Sequence, residues 1–211
     1  MIIDCISDLH GFLPELEGGD LLLVAGDLTA HDSVIEHQKF VEWLSEQPYR
    51  KKVYIAGNHD GHYQRPLENY PIYPDCHYLE DCGIEFEGLK IWGSPWSLWF
   101  KGIHPRCKAF TGTESDLKKK YELIPEETDI LITHGPPYGT MDVVRSFHTG
   151  KAEHVGSTIL AGTLNTLKNL KLHCFGHIHE GYGKSKDSRS VNASYVDEQY
   201  MPVNKPIRIE L

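Results

Sequence analysis

The sequence predicts an α/β fold on three observations. Apolar-rich runs, Leu21–Ala25, Val53–Ala56, Asp129–Thr133 and Lys171–Phe175, are too continuous for half-exposed strands and read as strands buried on both faces. Segments with helical spacing lie between them, over 32–47, 115–123 and 157–167. The runs end at Gly, Asp, Asn or His, where α/β sheets collect their ligands.

At 211 residues the chain fits one domain, 1–211, with room for a full core, and it contains no internal repeat or boundary signal. A net charge of -9 disfavours a surface for stable nucleic-acid binding. No apolar stretch approaches the ~18 residues of a membrane span, and Ile2–Ile6 follows Met1 without a basic leader, so neither membrane nor export is expected. The five cysteines are odd in number and form no CxxC. Cys5 and Cys174 lie in strand patterns and are expected as buried thiols, which points to a reducing, cytoplasmic compartment. Thirteen histidines are many for this length and suggest metal or proton chemistry.

Taken in order, residues 2–6 are a short strand leading into Asp8 and His10, two apart at a strand end and able to turn toward one point. The apolar strand 21–25 stops at Gly26-Asp27; alone, Asp27 would pass for a turn residue. Ser33 and Glu36 form a capping box for the helix 32–47, whose stripe Val34, His37, Phe40, Val41 and Leu44 places His37 in packing. His31 is a loop histidine. Strand 53–56 runs into Gly57-Asn58-His59-Asp60, and a proline-rich loop covers 66–75. Short strands follow at 76–80 and 83–87, then Leu89–Trp96 as strand and turn. Trp96, Trp99 and Phe100 form an aromatic cluster, read either as packing or as a stacking wall for a substrate ring. Strand 129–133 delivers His134. Residues 139–156 carry no periodic pattern and are expected as a long loop offering Arg145, His148 and His154. Leu160, Leu164 and Leu167 mark a helix, after which strand 171–175 runs into Gly176-His177-Ile178-His179, with His173 a sheet residue. Strands at 190–196 and 206–211 close the chain.

Five strand ends thus deliver Asp8 and His10, Asp27, Asn58 and His59, His134, and His177 and His179. Each is ordinary alone; in this order they resemble the calcineurin-like metallophosphoesterases, with DxH, GD, GNHD, a histidine after a strand, and GHxH all intact. A narrower likeness, through Lys90–Trp96, Leu123–Pro137, Phe175–Gly183 and Asn192–Ser194, is to the metallophosphoesterase-domain-containing subgroup, itself similar to class III cyclic nucleotide phosphodiesterases. The resemblance covers residues 2 to 196.

The resemblance implies a four-layer αββα sandwich of two mixed sheets flanked by helices, with two divalent metals between loop ends. Asp8, His10 and His179 would bind one metal, Asn58, His134 and His177 the other, and Asp27 both. His59 would face the leaving oxygen as general acid, and Asp60 beside it counts among the catalytic candidates. Trp96, Trp99 and Arg145 are candidate substrate contacts. Phosphate esters are anionic and resist neutral water, whereas two cations ~3.5–4 Å apart neutralise that charge and share a water that ionises near neutral pH. The oxygen and nitrogen donor set, without thiolate, suits Mn, Fe, Ni, Co or Zn and selects none of them; two divalent ions are expected, Mn first, with Fe, Ni, Co, Zn or Mg as alternatives. The expected substrate is a small phosphate ester or nucleotide, 2′,3′- and 3′,5′-cyclic nucleotides included. Two alternatives stand beside this: a non-catalytic scaffold, in which such a histidine as His59 tends to be lost, and a nuclease, which would carry extra DNA-gripping segments.

Overall fold

A computed structural model describes residues 1–65, 73–99, 107–145 and 150–211. In chain order it forms β1 (Ile2–Ile6), β2 (Gly19–Ala25), α1 (Val34–Glu46), β3 (Tyr49–Ile55), β4 (Cys76–Tyr78), β5 (Cys82–Phe86) and β6 (Leu89–Ser94). Then come β7 (Ser97–Leu98), β8 (Thr111–Gly112), α2 (Glu114–Tyr121), β9 (Ile130–Thr133), β10 (Val143–Arg145) and β11 (Ala152–His154). The chain closes with α3 (Thr158–Leu164), β12 (Leu172–Phe175), β13 (Gly183–Lys184), β14 (Ser190–Asn192) and β15 (Ile207–Glu210).

Two mixed sheets result. One has the order β15-β1-β2-β3-β4 and the other β13-β14-β12-β9-β6-β5. Side-chain alternation along each strand decides the layers. Ile3, Cys5, Leu21, Leu23, Val53 and Ile55 of the first sheet meet Ile91, Ile130, Ile132, Leu172, Cys174 and Val191 of the second in one buried core. The intervening Ile6, Leu22, Val24 and Tyr54 turn to the opposite face and pack under Phe40, Val41 and Leu44 of α1. Leu131, on the far face of the second sheet, packs with Leu117 and Tyr121 of α2 and Leu160 of α3. The helix–sheet–sheet–helix sandwich is therefore written in the parity of the apolar runs. Each fully buried leucine in it is worth ~1.5–3 kcal/mol over the exposed side chain.

The helices start where their caps place them. Ser33 and Glu36 form the expected capping box on α1, and Thr113 with Asp116 forms a second on α2. Cys5 and Cys174 are buried free thiols. Two elements differ from the sequence expectation. β3 begins at Tyr49, through Arg50-Lys51-Lys52, because it pairs with β2 along its length; the buried Lys52 ammonium is satisfied by Asp75 and by the Ser45 carbonyl. Residues 139–156 are not all loop, since β10 and β11 pair as an antiparallel hairpin. Two three-residue strands are too short to leave a periodic signal. Phe100, His148 and residues 66–72 of the proline-rich loop lie outside the described residues. Among the described residues no helix is long and apolar enough to cross a membrane.

Candidate metal centre

β1, β2 and β3 are mutually parallel, as are β9 and β12, so five carboxyl ends open toward one crevice between the sheets. Asp8 and His10 follow β1, Asp27 follows β2, Asn58 and His59 follow β3, His134 follows β9, and His177 and His179 follow β12. The turns are tight enough to force left-handed backbone at Asp8, His10, Asp27 and His177, with φ of 52°, 43°, 51° and 67°. Such non-glycine residues are uncommon, and their clustering marks a place where geometry is held against local preference. Glycine permits the approach. Gly26 turns at φ 94°, and a Cβ there would stand 2.7 Å from His134 Nδ1; one on Gly57 would collide with Asp27 Oδ1.

The side chains meet as two sets about one carboxylate. Donor atoms of Asp8, His10 and His179 lie within 4.8 Å of one another, as do those of Asp27, His134 and His177. Asn58 Oδ1 adds to the second set, 2.9 Å from His134 Nε2. Asp27 divides its oxygens between the sets: Oδ1 is 3.3 Å from His134 Nε2 and Oδ2 is 3.7 Å from His10 Nε2. That is the placement a bridging carboxylate requires.

A layer behind these groups fixes their donor atoms. His134 Nδ1 faces the Ala25 carbonyl at 2.9 Å, and His179 Nδ1 faces the Asp197 carbonyl at 2.9 Å, which leaves each Nε2 for the crevice. Asp8 accepts from the His177 backbone N–H, and Ser194 Oγ stands 2.8 Å from its Oδ2. Burial, opposed by the hydrogen bond and charge of His179, leaves Asp8 well below the usual carboxylate range. Burial likewise opposes ionisation of Asp27, yet His134, His59 and His10 hold its carboxyl well below that range. Burial disfavours charge on His134 and His179 too, but Asp27 and Asp8 override it and lift both to about 9. His10 and His177 go the other way, pushed down by burial to about 4 and about 3.

The buried His10 gives the most direct sign of what the crevice is for. Neither of its ring nitrogens has a hydrogen-bond partner among the described residues. A buried, unsatisfied imidazole is costly unless something absent from the polypeptide satisfies it. Neutral imidazoles, two carboxylates and an amide oxygen fit a pair of borderline divalent cations.

His59 stands at the edge of this cluster. Its Nε2 is 4.0 Å from Asp27 Oδ2, while Nδ1 faces the Ala30 carbonyl at 3.4 Å and Cys107 Sγ at 3.6 Å. Asp60, expected among the catalytic residues, is placed otherwise. It is fully buried, and its carboxylate accepts from the backbone N–H groups of Leu28, Thr29 and Gly57 and from Thr29 Oγ1. Asp60 thus clamps the Asp27 turn to the Asn58 turn and does not face the crevice. Burial and the nearby Asp27 charge raise it to about 6.

The expected substrate contacts separate. Trp96 is spent on structure: Nε1 donates to Asp81 at 3.0 Å, and the ring packs edge-on to Phe110 with the Lys120 ammonium 4.4 Å from its centroid. Trp99 is exposed. Arg145 ends β10 and is exposed; β10 lies against the His179–Gly181 turn. His31 is exposed; His37 is buried with Nε2 3.0 Å from Asp32; His173 is buried with Nε2 2.8 Å from Thr133 Oγ1. Three supporting residues have no role legible in the residues around them. Ser194, two residues past β14, is marked only by the family likeness. Asp197 and Tyr200 lie in a polar tail with no pattern at all.

Comparison with known proteins agrees with this geometry. The calcineurin-like phosphoesterase family model matches residues 1–181. Metallophosphoesterase domain-containing protein 1 of Homo sapiens is 38% identical over 98% of this chain and 70% of its own length, and the Mus musculus protein of the same name matches equally. UPF0046 protein C25E10.12 of Caenorhabditis elegans is 29% identical over 98% of this chain and 79% of its own. Among solved structures, TT1561 of Thermus thermophilus superposes with a TM-score of 0.56 at 19% identity, covering 90% of this chain and 88% of that one, a likeness of fold alone. The chain belongs to the calcineurin-like phosphoesterase family.

Proposed function

We propose that the protein is a dinuclear metal-dependent hydrolase of small phosphate esters, taking phosphodiesters, 2′,3′- or 3′,5′-cyclic nucleotides among them, and phosphomonoesters. The observation that carries this is the buried Asp27 carboxylate set between two groups of donors, one of which contains an imidazole with no hydrogen-bond partner among the described residues. Asp8, His10 and His179 would hold one cation, and Asn58, His134 and His177 the other, with Asp27 giving an oxygen to each. Two divalent cations there supply Lewis acidity toward the phosphoryl oxygens and toward water.

The protein's own part is orientation and proton transfer. Ala25 and Asp197 carbonyls hold His134 and His179 with Nε2 forward. The His59 backbone N–H donates to Asp27 Oδ1 at 2.8 Å, so acid and carboxylate keep a fixed relation. With Nδ1 turned to the Ala30 carbonyl, Nε2 is the nitrogen left toward the crevice, and as general acid a protonated His59 would pass its proton to the leaving oxygen from there. Asp60 holds the two turns together, and the exposed Arg145 would be a contact for an anionic substrate. The donors accommodate Mn, Fe, Ni, Co or Zn without selecting among them, Mn is the metal we propose, and the buried thiols Cys5 and Cys174 support a cytoplasmic setting.

The test is a screen of the Mn²⁺-loaded protein against nitrophenyl phosphate monoesters and diesters and both kinds of cyclic nucleotide. Turnover that stops on chelation and returns with metal is expected; no turnover with any divalent metal overturns the reading.

A further inference from the structure

Tyr200 stands over the crevice on a segment outside the matched family region. Its ring centroid lies 4.8 Å from that of His10, 5.3 Å from His179 and 6.3 Å from His59. Half of the residue is nevertheless exposed, 50%, and its neighbours Met201 and Val203 are exposed as well. Core packing therefore does not explain an aromatic side chain here.

The backbone is held for it. Tyr200 has φ 61°, an outlying conformation for a bulky residue. A compact turn maintains it: Tyr200 N–H donates to the Asp197 carbonyl at 2.9 Å, and Asp197 Oδ1 accepts from the N–H groups of Gln199 and Met201. The same Asp197 carbonyl receives His179 Nδ1. One oxygen atom thus aims a candidate metal ligand and fixes the aromatic ring beside it.

We propose that Tyr200 is a specificity-determining residue, its ring forming the wall against which the leaving group of the ester packs. The inference rests on the phosphoesterase reading above. His59, the acid for the leaving oxygen, lies beside Tyr200, so the group attached to that oxygen extends along the tyrosine. A leaving group with a flat ring, an aryl alcohol or a nucleoside, gains a stacking surface there that a small aliphatic alcohol cannot use. Trp96, engaged with Asp81 and Phe110, leaves this role open.

Calorimetric titration of the Mn²⁺-loaded protein with phenylphosphonate and methylphosphonate, neither of which has an ester bond to break, tests the wall without catalysis. The wild type is expected to prefer phenylphosphonate about tenfold, the scale of one base–aromatic stack. Tyr200→Ala brings the ratio close to one, and Tyr200→Phe, which keeps the ring, preserves it. A wild type without preference, a preference that survives Tyr200→Ala, or its loss in Tyr200→Phe overturns the inference while leaving the phosphoesterase reading intact. A metal-loaded wild type that binds neither phosphonate overturns both.

Discussion

His59 and Asp27 lie 4.0 Å apart, yet exchanging them separates two roles. Donor atoms of His59, His10 and Asp27 fall within 4.8 Å of one another, so spacing alone would also allow His59 to ligate. As general acid, His59→Ala keeps both metals and loses about 10²–10⁴ in turnover. Elemental analysis decides it, since a fall in metal content would make His59 a ligand. Asp27→Asn removes the charge shared by the two sets and is expected to lower occupancy at both positions together. An Asp27→Asn protein with full metal content would dispose of the bridge. Asp60 is a contrasting carboxylate of the same motif, with its oxygens committed to N–H groups of both turns.

At the scale of elements, the start of α1 serves the site as well as the helix. Ser33 caps the helix, and Glu36 closes the capping box while also accepting from the N–H groups of Ala30 and His31. Ala30 in turn offers the carbonyl that faces His59 Nδ1. Ser33→Ala removes the cap and is expected to cost about 1 kcal/mol, read from the denaturation midpoint, with turnover unchanged. Glu36→Ala also frees residues 30–31 and is expected to reduce turnover several-fold at unchanged metal content. Equal turnover in the two variants would show that the helix start does not steady His59.

For the whole molecule, the opposed shifts of the histidines give the metal-free protein a two-sided pH profile. His134 and His179 have folded values near 9, above the ordinary 6.5; the stability they contribute is complete below about 6.5 and is lost as pH rises through 9. His10, His173 and His177 are depressed to about 4, about 3 and about 3, so the unfolded chain takes up protons first and stability falls as pH drops below 6.5. Asp8 and Asp27, held low, add to the acid-side loss. Thermal melts of chelated protein are expected to peak near pH 6.5. Added Mn²⁺ should raise the melting temperature and flatten the alkaline fall, because ligated imidazoles no longer need their protons. An alkaline limb unchanged by metal would contradict the assignment of His134 and His179.

The layers and the ligands were legible in the sequence because both follow from local chemistry. Apolar parity in Leu21–Ala25 or Ile130–Ile132 sets which side chains face the neighbouring sheet, and a polar residue after such a run stands at a strand end wherever that strand is placed. Trp96 takes the packing alternative over the substrate contact, and Asp60 departs from the sequence expectation, for a shared reason. Residue type and position suit a site, but direction depends on partners far along the chain, Asp81 and Phe110 for one, Leu28 and Thr29 for the other. Tyr200 left no signal, since an exposed aromatic in a polar tail has no period and no motif. The sequence by itself determined the main buried strands and the order in which candidate donor residues follow them. Only the tertiary structure decided which nitrogen of each imidazole faces inward, that Asp60 is spent on backbone N–H groups, and that a C-terminal tyrosine stands over the cluster, because those depend on contacts between residues as distant as Asp8 and Ser194.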